Sequence, residues 1–383
     1  MQPFDLVVLG AGPAGSAAAM RARALDLSVA IIDKATFPRD KLCGGLVTGR
    51  CAKALRDVFD MGITPDLFDT NQDFDFFLAG QALGGLRGVP PLHLTMRRNF
   101  DARLLELTCR AGVVDFTGRR VHSIDHARNT VSLSDGDVLS YRVMIGADGV
   151  NSQVAAGLFG RPFDPEKIGF ALEIEGPTPP DLDSQPIRID FGVASWGYGW
   201  GFPKRGSTTI GIGGLHSRNP DMKPKLQAYL ALLGTGQDCK VKGHFLPFGQ
   251  AAKRPGRGNV LLAGDAAGLV DPITGEGIGH AIQSGALAAG AAARALREGQ
   301  PHLAARYHTS ATRPIRQAIR QARMLRPLIF APRLQPFFAR TFRESTRLKQ
   351  DYMRLLSGDT EYPDILFRTS KRLPSALWRY LRP

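Results

Sequence analysis

Three glycines near the start of the chain have the spacing of a phosphate-binding turn. They form the pattern GxGxxG between an apolar run at 4–10 and an alanine-rich run at 16–24. The first glycine permits a tight turn, the second lets the backbone approach a pyrophosphate, and the third lets a helix pack closely on a strand. The start of such a helix also offers free amides and a partial positive charge. The residues predicted to bind a dinucleotide here are Gly10, Gly12, Pro13, Ala14 and Gly15.

The turn needs two strands and a helix to position it. The apolar run 4–10 predicts a buried parallel strand, 16–24 a helix, and 28–33 a second strand that ends in an acid. That acid, Asp33, is placed to accept a hydrogen bond from a ribose hydroxyl, with Lys34 beside it. A glycine-rich surface loop is disfavoured because strand, turn, helix, strand and acid follow in order. This unit alone does not separate NAD from FAD.

Two later strands end in acidic, glycine-containing turns and favour FAD. The run 143–150 leads into Asp148 and Gly149, and the run 260–265 into Gly264 and Asp265. Ligands of open α/β sheets bind where such strands end. Asp265 is suited to a ribityl hydroxyl, and the amides ahead of a predicted helix at 280–297 are suited to the pyrimidine edge of a flavin. The further residues predicted there are Pro272, Gly275, Gly277 and Ile278.

The segments between these motifs predict a second layer. Residues 156–254 alternate in the manner of strands, and 72–95 adds a strand or two. The fold class is therefore α/β: a Rossmann-like FAD-binding domain with a parallel sheet, an inserted, mostly antiparallel substrate sheet, and a helical C-terminal region. The boundaries expected are 1–71, 96–155 and 255–300 for the first, 72–95 and 156–254 for the second, and 301–383 for the third.

An aromatic row in the second layer has two interpretations. Tyr198, Trp200 and Phe202 alternate with glycines and precede Pro203. On a strand, alternation directs all three rings to one face. Such a row is most often plain core. Next to a flavin, the alternation with glycine favours a cavity wall instead.

The motifs together resemble a known family. GxGxxG, GADG and GDAAG…DPITGEGI resemble the FAD-binding fold of the para-hydroxybenzoate hydroxylase-like flavoproteins. FPRDKLCGGL at 37–46 resembles the PRxKxCGG segment of the geranylgeranyl reductase family, and YGWGFP at 198–203 with Gly211 and Gly213 resembles its YxWxFP…GxG signature. Arg97 fits the family's RxxFD pattern. The resemblance covers residues 1 to about 300, and it departs at 153–155, where relatives carry a basic residue.

The resemblance implies an FAD-dependent reductase of isolated prenyl double bonds. Hydride would come from reduced flavin, and aromatic faces stabilise a developing cation by roughly 1–2 kcal/mol when desolvated. Cys43, Tyr198 and Trp200 are the candidate catalytic residues, with Cys43 assisting proton delivery or positioning; an inert buried thiol is equally compatible with the sequence. The substrate residues implied are Tyr198, Trp200, Phe202, Pro203, Gly211 and Gly213. The cofactor residues added are Arg39, Cys43, Gly44 and Arg97.

Electron supply and alternative functions stay open at this point. No second GxGxxG occurs, so no separate nicotinamide domain is indicated, and the electrons are expected from NADPH or a ferredoxin. The runner-up function is an FAD monooxygenase, or a halogenase, of an aromatic or hydrophobic substrate. A flavin-bound, membrane-associated binding or redox-sensing protein is the third. The segment at 37–46 and the aromatic row favour the reductase.

The charge is uneven. Residues 301–383 carry 17 Lys and Arg against five Asp and Glu, so 12 of the 14 net positive charges lie there. Solvated helices are one interpretation, peripheral contact with an anionic membrane is another, and binding of a soluble, diphosphate-bearing substrate is a third. Nucleic acid is not expected, because no binding motif accompanies the charge. Four scattered cysteines predict neither a disulfide framework nor a metal site. Without a signal peptide or spanning segment, a cytoplasmic protein is expected, either soluble or peripherally bound to a membrane.

Overall fold

The computed structural model describes residues 1–177, 185–236 and 238–365. Within these ranges the chain forms eighteen strands and ten α-helices. The strands are β1 (Gln2–Leu9), β2 (Val29–Asp33), β3 (Leu46–Val47), β4 (Asp69–Asn71), β5 (Phe74–Leu78), β6 (Gln81–Leu86), β7 (Leu92–Leu94), β8 (Val114–Thr117), β9 (Val121–Asp125), β10 (Thr130–Leu133), β11 (Val138–Gly146), β12 (Gly169–Pro177), β13 (Ile187–Phe191), β14 (Tyr198–Lys204), β15 (Ser207–Leu215), β16 (Lys242–Leu246), β17 (Gly256–Arg257) and β18 (Val260–Leu262). The helices are α1 (Pro13–Arg23), α2 (Gly49–Phe59), α3 (Arg97–Arg110), α4 (Gln153–Phe159), α5 (Met222–Leu233), α6 (Ile278–Arg297), α7 (Ala304–Ala311), α8 (Arg313–Phe330), α9 (Gln335–Glu344) and α10 (Thr346–Ser357).

The first layer is a sheet in the order β17-β18-β11-β1-β2-β8, extended by β10 and β9. Strands β18, β11, β1, β2 and β8 run parallel, so their carboxyl ends meet at one edge. The inner strands β18, β11, β1 and β2 carry buried apolar runs, as parallel sheets require, whereas Val114 and Asp115 of the edge strand β8 are exposed. Helices α1 and α6 cover one face with alanine-rich surfaces that allow close packing. The predicted Rossmann-like sheet is confirmed.

The second layer is a seven-stranded sheet in the order β16-β12-β15-β14-β13-β5-β6. All its pairs are antiparallel except β13 with β5. Strands β5 and β6 come from the predicted 72–95 segment, which supplies the edge of this sheet. β7 instead joins β3 and β4 in a separate three-stranded sheet. The predicted mostly antiparallel sheet is therefore confirmed.

The C-terminal helices cover one face of the second sheet. Phe191 of β13 lies with its ring centroid 5.2–6.3 Å from Phe330, Phe338, Phe342 and Tyr352. Burial of an aromatic or large aliphatic side chain stabilises a fold by about 1.5–3 kcal/mol. This shared core therefore fixes α8–α10 on the same sheet that carries the aromatic row.

Several predicted boundaries are wrong by a few residues for local reasons. α1 begins at Pro13, not at residue 16, because proline is favoured in the first helical turn. The strand expected at 260–265 ends at Leu262, and Gly264–Ala267 form a 3₁₀ turn instead. Pro327 lies inside α8, although proline usually ends a helix. Pro327 comes three residues before α8 ends. The backbone hydrogen bond that a proline cannot donate is therefore lost only near the end of the helix.

The helical C-terminal region is confirmed from α7 to α10, and residues 366–383 of the basic block lie outside the described residues. Over the described ranges, no helix combines the length and hydropathy needed to span a bilayer.

Candidate functional site

A cavity of about 620 Å³ lies between the carboxyl edge of the parallel sheet and the second sheet. This volume is within the ordinary range for small-molecule sites. It is lined by residues from all the sequence motifs described above. The predicted residues that line it are Gly10, Gly12, Pro13, Ala14, Asp33, Lys34, Arg39, Cys43, Gly44, Arg97, Asp148, Gly149, Tyr198, Trp200, Phe202, Gly213, Asp265, Gly275, Gly277 and Ile278.

The glycine turn needs glycine at two of its positions. Gly10 has φ +101°, and a Cβ there would lie 2.3 Å from the Ala147 carbonyl oxygen. A Cβ on Gly15 would lie 1.7 Å from the Gly10 oxygen. Gly15 therefore packs α1 on β1 and does not line the cavity, which matches its expected packing function.

The three acids at the strand ends differ in what their oxygens hold. Asp33 accepts the Ala11 and Ala35 amides at 2.9 Å, one on each oxygen. Asp148 accepts from Ser152 and from the amides that begin α4, so it acts as a helix cap at the cavity edge. Asp265 lines the cavity, and burial raises the pKa of its carboxyl. Of the three, Asp265 is the acid best suited to a polar ligand.

Two arginines on one wall share a carboxylate. Asp101 is fully buried and accepts from Arg97 Nε at 2.7 Å and Nη2 at 2.8 Å. Arg39 Nη2 approaches the same carboxylate at 3.2 Å, while its Nη1 is buried without a partner among the described residues. Burial alone would lower the pKa of Arg97, but the Asp101 carboxylate raises it. Arg98, the next residue along the chain, is exposed to solvent.

The start of α6 forms another part of the wall. Gly275, Gly277 and Ile278 line the cavity immediately before this 20-residue helix begins. The preceding turn is held by Asp271, whose Oδ1 accepts the Ile273 and Thr274 amides at 2.8 and 2.9 Å. The first amides of a helix lack partners within it and favour negative charge. This end of the cavity is therefore suited to an electron-rich group.

The aromatic row faces the cavity. Tyr198 and Trp200 have ring centroids 6.0 Å apart, and Trp200 and Phe202 6.3 Å apart. The Tyr198 hydroxyl donates to the Thr274 carbonyl oxygen at 2.7 Å, which ties the row to the turn before α6. Gly44 lies directly against Phe202, since a Cβ there would be 2.5 Å from the ring. The row is thus a wall of the cavity as well as part of a core.

The Cys43 segment leads to a carboxylate that the sequence motifs did not indicate. Cys43 lines the cavity, and its amide donates to Glu173 Oε1 at 2.8 Å across 130 residues of sequence. Glu173 lies in β12 and is 6% exposed. Burial raises the pKa of its carboxyl to about 7. Its position inside a run of strand-like alternation (FALEIEG) was the only signal, and that pattern alone indicates a half-buried strand.

Three further basic residues in or near the cavity were not among the predicted site residues. Lys41 and His244 line the cavity, and burial lowers their pKa values to about 8 and about 4. Lys204 ends the aromatic strand, is buried, and lies 3.7 Å from Glu175. The alternation that places Tyr198, Trp200 and Phe202 on one face also includes residue 204, so Lys204 was open to prediction.

Five predicted residues lie outside the lining. Gly15, Gly264, Pro272, Pro203 and Gly211 support it from behind or from the side. Gly264 packs against Ala14 and Ala281, and Pro272 against Gly249. Gly211 makes room for a neighbour, because a Cβ there would be 2.4 Å from the Trp200 ring.

The residues present fit FAD. The glycine turn leaves no room for side chains, and Arg39 lies beside it, with Nη2 3.5 Å from the Cβ position of Gly12 and Nη1 buried without a partner among the described residues. Asp265 lines the interior. A family model described as an FAD binding domain matches residues 234–322. Fold and site thus define an FAD-dependent oxidoreductase.

Relatives identify the family. The chain is 33% identical over 314 residues to the menaquinone reductase of Mycobacterium tuberculosis (strain ATCC 25618 / H37Rv), covering 74% of this chain and 75% of that one. It is 30% identical over 320 residues to the geranylgeranyl diphosphate reductase of Rhodobacter capsulatus, covering 78% and 77%. The chain belongs to the geranylgeranyl reductase family of flavoproteins, as its motifs predict.

Solved structures agree on the fold. A geranylgeranyl bacteriochlorophyll reductase-like protein from Thermoplasma acidophilum superposes with a TM-score of 0.77 at 21% identity, over 98% of this chain and all of that one. A protein described as a probable FAD-dependent monooxygenase from Pseudomonas aeruginosa, with a TM-score of 0.68, and a flavin-dependent halogenase, with a TM-score of 0.66, share the same fold. The fold therefore does not by itself distinguish reduction from oxygen chemistry.

Proposed function

We propose that this enzyme reduces isolated C=C bonds of an isoprenoid chain. The observation that carries the proposal is that the aromatic row of β14 faces the same cavity as the glycine turn and Asp265. One wall is suited to a dinucleotide, and the other to an apolar chain on which positive charge develops during the reaction. The relatives named above act on compounds called menaquinone and geranylgeranyl diphosphate, and a prenyl chain is the part those two have in common.

The cofactor would be held mainly by backbone. The turn at 10–15 and Arg39 would take the pyrophosphate, Asp265 a ribityl hydroxyl, and the amides at 275–278 the pyrimidine edge. Arg97, fixed by Asp101, would add positive charge beside it. When bound and reduced, FAD supplies a hydride to the substrate.

The aromatic row would act on the other partner of the reaction. Isolated alkenes have no neighbouring group to accept charge, so positive charge develops on one carbon as the bond is reduced. The faces of Tyr198 and Trp200 would stabilise that charge by about 1–2 kcal/mol. Phe202 and Gly213 would shape an apolar channel that excludes water, which would otherwise trap the cation.

Cys43 is proposed to position the reacting groups. Its side chain lines the cavity, its Sγ accepts from the Gly45 amide at 3.4 Å, and its own amide holds Glu173. The short side chain lets the segment 43–45 approach a ligand closely. A Cys43→Ala variant with unchanged turnover would limit its part to this backbone contact.

Electron supply and placement complete the proposal. NADPH or a ferredoxin would reduce the flavin from solution. The exposed face of α8 carries Arg320 and Arg323 beside Met324 and Leu328, which are 71% and 53% exposed. A basic surface with exposed apolar side chains is suited to anionic lipid headgroups. Such a contact would bring the enzyme to membrane-dissolved prenyl substrates.

The test uses the chemically reduced, FAD-loaded protein without oxygen. Incubation with a prenylated quinone, geranylgeranyl diphosphate and a digeranylgeranyl lipid should yield a product heavier by two mass units per saturated bond. An oxygen-dependent gain of sixteen units would identify a hydroxylase instead. The Tyr198→Ala, Trp200→Ala double variant should retain FAD and lose most of the two-unit gain.

A further inference from the structure

Glu173 lies in line with the aromatic row across three strands. In the register of the sheet, Trp200 of β14 faces Gly211 of β15, which faces Glu173 of β12. Residues in register on neighbouring antiparallel strands project to the same face. Gly211 has no side chain, and a Cβ there would lie 2.4 Å from the Trp200 ring and 2.8 Å from Glu173 Cβ. The missing side chain therefore leaves Trp200 and Glu173 as neighbours in the cavity.

The two oxygens of this carboxyl differ in their hydrogen bonds. Oε1 accepts the Cys43 amide, whereas Oε2 is buried without a hydrogen bond among the described residues. The Trp200 Nε1 is likewise buried without a partner in the part of the chain that the structure describes. Buried polar atoms are normally satisfied, and exceptions require an explanation. Both atoms belong to residues that line the cavity, so both are available to a ligand there.

We propose that Glu173 is the proton donor of the reduction. This assignment rests on the proposed function. Oε2 gives its proton to one carbon of the C=C bond while the reduced cofactor gives a hydride to the other. The π bond is replaced by two C–H bonds, and two electrons pass from the cofactor to the substrate. The Glu173 carboxylate then recovers a proton from solvent, and the external reductant restores the cofactor.

The environment keeps the proton available near neutral pH. Burial, with a smaller contribution from the negative charge of Glu175, raises the pKa of the carboxyl to about 7. The Cys43 amide, Lys204 of β14 and Lys242 of β16 oppose this rise. Lys41 and His244 line the same cavity from two other segments. An acid with a pKa near the working pH is the most effective proton donor.

A matched pair of variants tests the proposal. Glu173→Gln keeps the shape and the bond to Cys43 but carries no acidic proton. Glu175→Gln changes the next residue on the same face, whose carboxylate is already held by Ser207 and Thr209. The measured quantity is the anaerobic rate at which a prenyl substrate reoxidises the reduced, FAD-loaded enzyme. General acid catalysis contributes about 10²- to 10⁴-fold, so Glu173→Gln should slow this rate at least about 100-fold. Glu175 does not line the cavity, so Glu175→Gln should change the rate less than about fivefold.

The pH profile and an infrared spectrum separate donation from a structural effect. The wild-type rate should fall as pH rises through about 7, and the profile of Glu173→Gln should be flat there. The infrared difference spectrum of the wild type should show a protonated carboxyl band that disappears over the same range and is missing from Glu173→Gln. FAD content should be equal in all three proteins.

The outcomes distinguish two failures. If the wild type saturates the prenyl chain and Glu173→Gln does so at the same rate, the Glu173 assignment is overturned and the proposed function stands. If Cys43→Ala removes the pH dependence while Glu173→Gln retains it, the proton comes from the thiol. If no prenyl compound reoxidises the wild type, the proposed function itself is contradicted.

Discussion

The two walls of the cavity use different parts of the polypeptide. The wall on the parallel sheet consists of backbone, glycines and a helix N-terminus, and most of it comes from three short motifs. The wall on the second sheet consists of side chains, and Trp200 and Glu173 meet only because three strands align in register. The wall on the parallel sheet, here called the cofactor wall, is therefore built mainly from residues close together in sequence. The wall on the second sheet, the substrate wall, forms only when distant strands pair.

The largest effect is expected when the glycine turn of the cofactor wall is disrupted. Gly10→Val would place a side chain 2.3 Å from the Ala147 oxygen at a φ of +101°, which a β-branched residue does not adopt. The variant should be purified without FAD. Gly62→Ala, which has open space around it, should retain a full equivalent by absorbance. FAD bound normally by Gly10→Val would refute the proposed pyrophosphate turn.

The second effect is on the free energy of unfolding, and it concerns Glu173 in the substrate wall. The pKa of Glu173 is about 7 in the fold and near 4.5 when unperturbed. The native state therefore holds this proton more tightly, so its contribution to stability is complete below about pH 4.5 and is lost as pH rises through 7. The difference in unfolding free energy, wild type minus Glu173→Gln, should fall by roughly 3 kcal/mol across that range.

Denaturant titrations of both proteins at several pH values measure this difference. Glu175→Gln serves as the comparison because it removes a carboxylate from the same strand. A wild-type minus Glu173→Gln difference that stays constant with pH would show that Glu173 titrates normally in the folded protein.

A third change fills the gap between Trp200 and Glu173 without touching the cofactor wall. Gly211→Val would overlap the Trp200 ring, and overpacking typically costs about 1–3 kcal/mol. We expect kcat/KM for the prenyl substrate to fall about 10- to 100-fold at unchanged FAD content. Gly201→Ala, on the opposite face of β14 with 3.4 Å to Arg188, should be close to wild type. Equal losses of FAD and activity in Gly211→Val would contradict the division between the two walls.

The smallest effect lies outside both walls, on α8. Replacing Arg320 and Arg323 with alanine should weaken binding to phosphatidylserine vesicles by about 2 kcal/mol, or roughly 30-fold. Turnover of a short, soluble prenyl diphosphate should not change. The control removes two exposed arginines elsewhere, Arg56 and Arg98. Equal sedimentation with the vesicles by both double variants would show that only net charge matters.

Sequence patterns located cavity-lining residues best where the residues of one motif are adjacent in the chain. Gly10, Gly12, Asp265 and the start of α6 belong to short contiguous motifs, and they line the cavity. Asp33 and Asp148 line it too, but their oxygens hold backbone amides of the turns themselves. The residue type indicates that the side chain accepts hydrogen bonds, but only the folded turn shows which donors it accepts them from.

The remaining residues could not be predicted because their environment is made by distant strands. Glu173 is one of two acids in FALEIEG, and nothing in that segment distinguishes it from Glu175. The distinction arises from Cys43, 130 positions away, and from the space above Gly211. Asp101 was within reach, since the RxxFD pattern puts it one helical turn after Arg97 on the same face.

The central claim is that one cavity brings reduced FAD and a prenyl chain together. The direct test is to reduce the loaded protein chemically, remove oxygen, and follow the yellow absorption of oxidised flavin after a prenylated quinone or diphosphate is added. The account predicts that the colour returns without oxygen, in step with saturation of the chain. If it returns only when oxygen is admitted, and the prenyl chain is recovered unchanged, the account is contradicted.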